Sequence, residues 1–136
     1  MENPTFTQDM EAFVQAYARS VNTCDMALAK SLWKQDGAVS FIHPSGYEHF
    51  LFRGRAAFFT GIRWRPAFSK RELVPKHLRC AQYGDTAVLE FEWDFYATAR
   101  EDGSAVHTQG RESQFLVRED TSWKIVHIHY SPLPEK

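Results

Sequence analysis

The 136-residue sequence has little cysteine, no excess of either charge and no long apolar run, and each shortage removes a class of protein. Its two cysteines, Cys24 and Cys80, stand far apart and form no C-x-x-C pair. They read as reduced thiols of a cytosolic protein, ahead of a disulfide or a nucleophile. Sixteen Lys and Arg meet 17 Asp and Glu for a net charge of −1, which provides no field toward nucleic acid or a membrane surface. Apolar runs end after a few residues, far short of the ~20 that span a bilayer. Met1-Glu2-Asn3-Pro4 lacks the basic start and apolar stretch of a secretory leader, so the cytoplasm is the expected location. There is no G-x-S-x-G, no glycine-rich phosphate loop, no H-E-x-x-H and no RNA-binding aromatic motif. No cofactor is implied, and neither a nucleic acid nor a membrane is expected as a partner.

What is present is aromatic. Eleven Phe, 5 Tyr and 4 Trp make up 15% of the chain, within 43% apolar and 24% charged residues. That is enough to bury a core, and rings of this size either fill a core or line a concave site for an apolar ligand. The length is that of one domain, and no repeat, linker or low-complexity stretch divides residues 1–136.

Phe6, Met10, Phe13, Val14, Tyr17 and Val21 recur at three- and four-residue spacing, which predicts a helix over 6–22. Thr5 or Thr7 offers a cap, and Asp9 and Glu11 would sit in its first turn. Asp25 caps a second helix over 26–34, stopped at Asp36-Gly37. Residues 38–43 and 47–52 read as a hairpin around Pro44-Ser45-Gly46. Gly54-Arg55 opens a third helix with Ala56, Ala57, Phe58, Phe59 and Ile62 on its apolar side, closed by Pro66. Residues 64–73 read as a basic, irregular connection. Strands follow at 74–83, 86–99, 106–118 and 123–130, with a D-G turn at Glu101-Asp102-Gly103-Ser104. Residues 86–99 alternate most cleanly, with Leu89, Phe91, Trp93 and Phe95 opposite Glu90, Glu92 and Asp94. The order is α+β: three N-terminal helices packed on one face of a curved, mostly antiparallel sheet.

Four stretches then resemble a known superfamily: Phe13-Val14-Gln15-Ala16-Tyr17 running on to Val21-Asn22, Asp36-Gly37-Ala38-Val39, Arg53-Gly54-Arg55, and Gly84-Asp85-Thr86-Ala87. The chain resembles the cone-shaped superfamily of nuclear transport factor 2, ketosteroid isomerase and SnoaL-like polyketide cyclases. Its run Gln109-Gly110-Arg111-Glu112-Ser113, followed by residues 123–131, is similar to the association (hub) domain of calcium/calmodulin-dependent kinase II. The resemblance implies a cystatin-like roll whose sheet encloses a pocket. Leu89, Phe91, Trp93 and Phe95 would face that pocket with Val126, Ile128 and Tyr130, and Tyr17 and Phe41 would join them.

The resemblance also implies roles. His43-Pro44 falls where ketosteroid isomerases carry the Asp-Pro pair that shuttles a proton, and an imidazole titrates in the right range for that work. Tyr17 matches the helix-one tyrosine that donates to a developing oxyanion. The partner donor of that oxyanion hole falls near Gln114, whose amide donates without any pKa shift. Glu112 shares a face with Gln114 and either points into the pocket or turns out toward Arg111 or Lys124. His77 lies at a strand position where dehydratases and dehydrochlorinases of this fold keep a histidine, with Asn22 near the place of their aspartate. His127-x-His129 has the spacing of a metal pair on a strand, but no third ligand accompanies it, so a subunit interface is the preferred reading. Arg63, Arg65, Lys70 and Arg71 read as a solvated loop, or else as a contact for an anionic substrate tail.

The implied function is a small cofactor-independent enzyme, an isomerase, cyclase or dehydratase. It would apply acid/base chemistry to an apolar carbonyl or polyketide-like molecule held by Phe41, His77, Phe91, Trp93, Glu112 and Tyr130. The alternative is a non-catalytic association or small-ligand-binding domain. Either reading predicts a homodimer through the outer sheet face, where Phe115, Val117, Trp123 and Ile125 are expected.

Overall fold

The computed structural model describes residues 4–23, 25–35, 38–42, 48–53 and 68–133. Two helices, α1 (Pro4–Asn22) and α2 (Met26–Leu32), precede six strands: β1 (Ala38–Ile42), β2 (Glu48–Arg53), β3 (Phe68–Tyr83), β4 (Thr86–Ala99), β5 (Ala105–Glu119) and β6 (Ser122–Pro132). One sheet runs in the order β2-β1-β6-β5-β4-β3. Every neighbouring pair is antiparallel except β1 and β6, which run parallel with Phe41 opposite Ile128. The α+β layout with helices against one sheet face is therefore observed. The expected third helix, the turn at 44–46 and Arg63 and Arg65 lie outside the described residues.

The apolar stripe of α1 is buried along its length, from Phe6 and Met10 through Tyr17 to Val21, and α1 packs against β3. The helix starts at Pro4, two residues before the expected boundary, so Asp9 and Glu11 fall beyond its first turn. Proline suits a first helical position because its missing N–H has no partner there in any case. The far end of α1 is pinned: the Asn22 side chain accepts from the Leu73 N–H at 2.6 Å and donates to the Leu73 carbonyl at 3.4 Å. Asp25 caps α2 by accepting from the Leu28 N–H at 3.0 Å, as its spacing predicts.

Two expectations are corrected. Residues 68–73 belong to β3 rather than to an irregular connection. β3 lies at the end of the sheet order, and an edge strand tolerates the charged run Lys70-Arg71-Glu72 that obscures its alternation. Trp123 and Ile125 do not face out: Ile125 is fully buried, and Trp123 packs edge-to-face on Phe6 of α1 with ring centroids 5.9 Å apart. The cause is a register shift between β5 and β6, where Phe115 pairs with His127 but Leu116 pairs with Ile125. One extra residue on β6 turns both Ile125 and Ile128 inward, which strict alternation forbids. Phe115, 45% exposed, does face out and stacks on His127.

Candidate active site

The inner face of β4 carries Leu89, Phe91 and Trp93, all buried, as alternation predicts. The inner face of β5 beside it breaks the pattern. Its successive inward positions are Gly110, Glu112, Gln114 and Leu116, all buried. A polar row inside an apolar core costs stability unless each group is paired, and such local conflicts with folding are expected at functional sites.

Register fixes the neighbours. Glu112 lies between Phe91 of β4 and Tyr130 of β6, and Gln114 lies between Leu89 and Ile128. Tyr17 arrives from α1 and hydrogen-bonds the Glu112 carboxyl. The Gln114 Nε2 donates to Glu112 Oε2 at 2.7 Å. Glu112 is 4% exposed, and burial pushes its carboxyl up to about 7, against the opposing pull of the bonds from Gln114 and Tyr17. Desolvation thus outweighs two donors. Tyr17 and Tyr130 are both held well above the usual phenol range, first by burial and then by the Glu112 charge. At neutral pH the cluster holds one group that exchanges its proton readily and two phenols that keep theirs.

Two polar atoms in this region are buried without a hydrogen-bond partner among the described residues: Gln114 Oε1 and Trp93 Nε1. The Trp93 ring lies over Gly110, where an added Cβ would stand 2.2 Å from Trp93 Cζ2 and 2.7 Å from the Ser131 carbonyl oxygen. Only glycine admits the indole there. The charged face of β4 points the other way. Asp94 meets Lys76 at 3.0 Å and His107 at 3.0 Å, and these donors with Gln109 hold its carboxyl well below the usual range. A groove of about 870 Å³ crosses that outer face along Glu90, Glu92, Arg111 and His129, and Phe91 and Glu112 also border it.

A SnoaL-like domain model matches residues 10–135. The chain belongs to the SnoaL-like family. A nuclear transport factor 2-like superfamily protein from Salmonella enterica serovar Typhimurium shares 36% identity over 96% of this chain and 93% of its own, with a TM-score of 0.85. A candidate dehydratase of the NTF2-like family from Streptomyces avermitilis matches 98% of this chain and 100% of its own, at 17% identity and a TM-score of 0.85. The S. rosetta CaMKII hub matches 93% and 95% at 17% identity and a TM-score of 0.74. At those identities the last two show the fold alone. No curated protein matches the chain.

Within this SnoaL-like domain the expected site residues separate into two groups. Tyr17, Gln114, Glu112, Tyr130, Phe91 and Trp93 come together on the inner face. Glu112, for which an outward pairing with Arg111 or Lys124 stood open, faces inward; Lys124 instead donates to the Ser31 carbonyl at 2.6 Å. His77 is not brought to this cluster. Its side chain is 69% exposed on the outer face, bonded to Glu92 at 2.7 Å, and its backbone sits at φ 57° in the irregular stretch of β3. Asn22, expected near the matching aspartate, is occupied by Leu73. His127 bonds Ser40 at 2.7 Å through its ring nitrogen Nδ1, and among the described residues no three His, Cys, Asp or Glu side chains group as metal ligands. His43 lies outside the described residues, and Phe41 is placed by its pairing with Ile128. Sequence reasoning missed the Trp93–Gly110 pair, whose signal was a glycine inside a strand.

Proposed function

We propose that this protein is a cofactor-independent enzyme that moves protons on a small apolar carbonyl compound, through isomerisation, cyclisation or dehydration. Glu112 carries the reading: a carboxyl sealed in an aromatic core, titrating near neutrality and bonded to a phenol and an amide. Perturbed carboxyls of this kind concentrate at functional sites. Ionised, Glu112 accepts a proton from a carbon next to a carbonyl; protonated, it returns that proton or donates to the oxygen. Tyr17, whose phenol keeps its proton, donates to the oxygen that gains charge. In this proposal Glu112 shares the proton-carrying role that the resemblance had assigned to His43, one residue past β1, and Tyr17 keeps the oxyanion role the resemblance gave it. The candidate dehydratase fold of the S. avermitilis relative is compatible with such chemistry.

The test is exchange of the α-protons of cyclohexanone in D₂O, followed by ¹H NMR with wild type, Glu112→Gln and Tyr17→Phe. Wild type should accelerate exchange, and Glu112→Gln should lose roughly 100-fold or more, the usual weight of a positioned acid/base group. Equal rates for wild type and Glu112→Gln would remove the proposal. A second reading, a non-catalytic association domain, is favoured by one observation: Val74, Tyr96 and Phe115 stay exposed beside the outer groove. In both readings we assign that face to a second copy of the chain, and sedimentation at micromolar concentration tests the homodimer.

A further inference from the structure

Gln114 engages only the donor end of its amide. The side chain has no exposed surface, donates from Nε2 to Glu112 Oε2 at 2.7 Å, and leaves Oε1 without a partner among the described residues. A primary amide has a donor end and an acceptor end of nearly equal shape, and a half-turn about its last torsion exchanges them. The end that faces Glu112 is set by the proton on Glu112. An ionised carboxylate offers acceptors alone and takes the NH₂ group. A protonated carboxyl has an O–H to place, and Oε1 is the acceptor within reach of a half-turn. Whatever end Gln114 turns toward Glu112, the opposite end is left for another partner.

We propose that Gln114 is a specificity-determining residue whose amide turns with the proton on Glu112, offering a ligand an acceptor when Glu112 is ionised and a donor when Glu112 is protonated. The inference rests on the reading of Glu112 as a proton carrier, and it names the ligand chemistry: a neutral molecule that interconverts between a carbonyl and an enol or hydroxyl form. When ionised Glu112 removes a proton from a carbon beside the carbonyl, the C–H bond breaks and its electron pair passes to the oxygen as an enolate. The proton forms a new O–H bond on Glu112. That O–H then engages Gln114 Oε1 and releases the NH₂ to the enolate oxygen, so a donor arrives as charge develops there. The groups that face Glu112 leave the switch to the carboxyl. Tyr17 from α1 and Tyr130 from β6 titrate far above neutrality, and Phe91, opposite on β4, does not titrate.

Binding of phenol, a hydroxyl donor, and of cyclohexanone, an acceptor, measured by NMR titration at pH 5.5 and 8.5 tests the proposal. The ratio of the two affinities should swing toward phenol by about tenfold between the two pH values, the weight of one hydrogen bond exchanged for an unmatched pair. The Gln114 side-chain ¹⁵N–¹H₂ resonances of the wild type should shift with the midpoint of the Glu112 carboxyl ¹³C signal, a measurement that needs no variant. Gln114→Met should abolish the swing while Glu112 still titrates. A constant ratio with Glu112 titrating near 7 overturns the role of Gln114 and leaves the enzyme reading standing, as does a swing that survives in Gln114→Met. Glu112 already ionised at pH 5.5 overturns both. Should neither probe bind, the amide resonances decide: no shift across the Glu112 midpoint overturns the proposal.

Discussion

Replacing Glu112 with glutamine should make the protein's stability less dependent on pH, and the size of the effect follows from the buried carboxyl. Glu112 has an ordinary value of 4.5 and stands near 7 in the fold. Because the folded value is raised, the folded state holds the proton more tightly than the unfolded chain. The stability linked to that proton is fully present below about pH 4.5, is lost as the unfolded chain ionises between 4.5 and 7, and stays lost above 7. At 1.36 kcal/mol per unit the loss is about 3 kcal/mol, on the order of 10 °C in Tm for a chain of this length. Glutamine keeps the shape, never ionises, and can donate to the unpartnered Gln114 Oε1. Urea unfolding of wild type and Glu112→Gln at pH 4.5, 6 and 8 isolates the term, since other titrating groups cancel in the difference. Glu112→Gln should gain about 3 kcal/mol on wild type between pH 4.5 and 8. A difference that stays flat across that range would refute the buried, neutral carboxyl.

Tyr17→Phe removes a donor that pulls the Glu112 carboxyl down, so the ¹³C titration midpoint of Glu112 should rise, and a midpoint unchanged or lowered would separate the two residues. Gly110→Ala places a Cβ against the Trp93 ring and the Ser131 carbonyl and should cost about 1–3 kcal/mol by overpacking; adding Trp93→Phe, which lacks the atoms in conflict, should recover part of that loss in chemical denaturation.

The helical stripe of α1, the cap at Asp25 and the alternation of β4 were legible because each is a local pattern repeated several times. The phase of β6 was not. A bulge adds a single residue and no side chain advertises it, so Trp123 and Ile125 were assigned to the face opposite the one they occupy. The start of β3 was hidden for a different reason: at an edge, solvent accepts Lys70 and Glu72, and the half-buried Arg71 stands at an inward position opposite Ala97 where a central strand would need an apolar residue. In the candidate site, parity put Glu112, Gln114 and Leu116 on one face of β5 but left open which face met the helices. That choice depends on Tyr17 arriving from the other end of the chain to bond the carboxyl, a long-range contact that spacing along β5 does not encode. The same limit explains His77, whose left-handed backbone in an irregular stretch carries it to the outer face.

The partners of Glu112 bear on the kind of ligand it serves. Its upward shift comes from burial and is opposed by Gln114 and Tyr17, neither of them a cation. Among the described residues the ion pairs lie elsewhere: Asp94 binds Lys76 and His107 on the outer face, His77 binds Glu92 there, and Asp85 meets Arg118 at 3.1 Å. Arg71, opposite Ala97 on the inner face of the sheet, is half-buried with its Nη1 enclosed. A site built for a permanent anion, such as a phosphate or carboxylate, needs fixed positive charge to offset desolvation, and a carboxyl at its centre would repel the ligand whenever it ionised. A site built for a neutral ligand has the opposite requirement. It needs a surrounding that tolerates charge only while a proton is in transit, and donors that stay protonated throughout. Glu112 between two phenols that titrate above the usual range meets that requirement, which supports the proposal that the group reacting at this carboxyl is a neutral carbonyl.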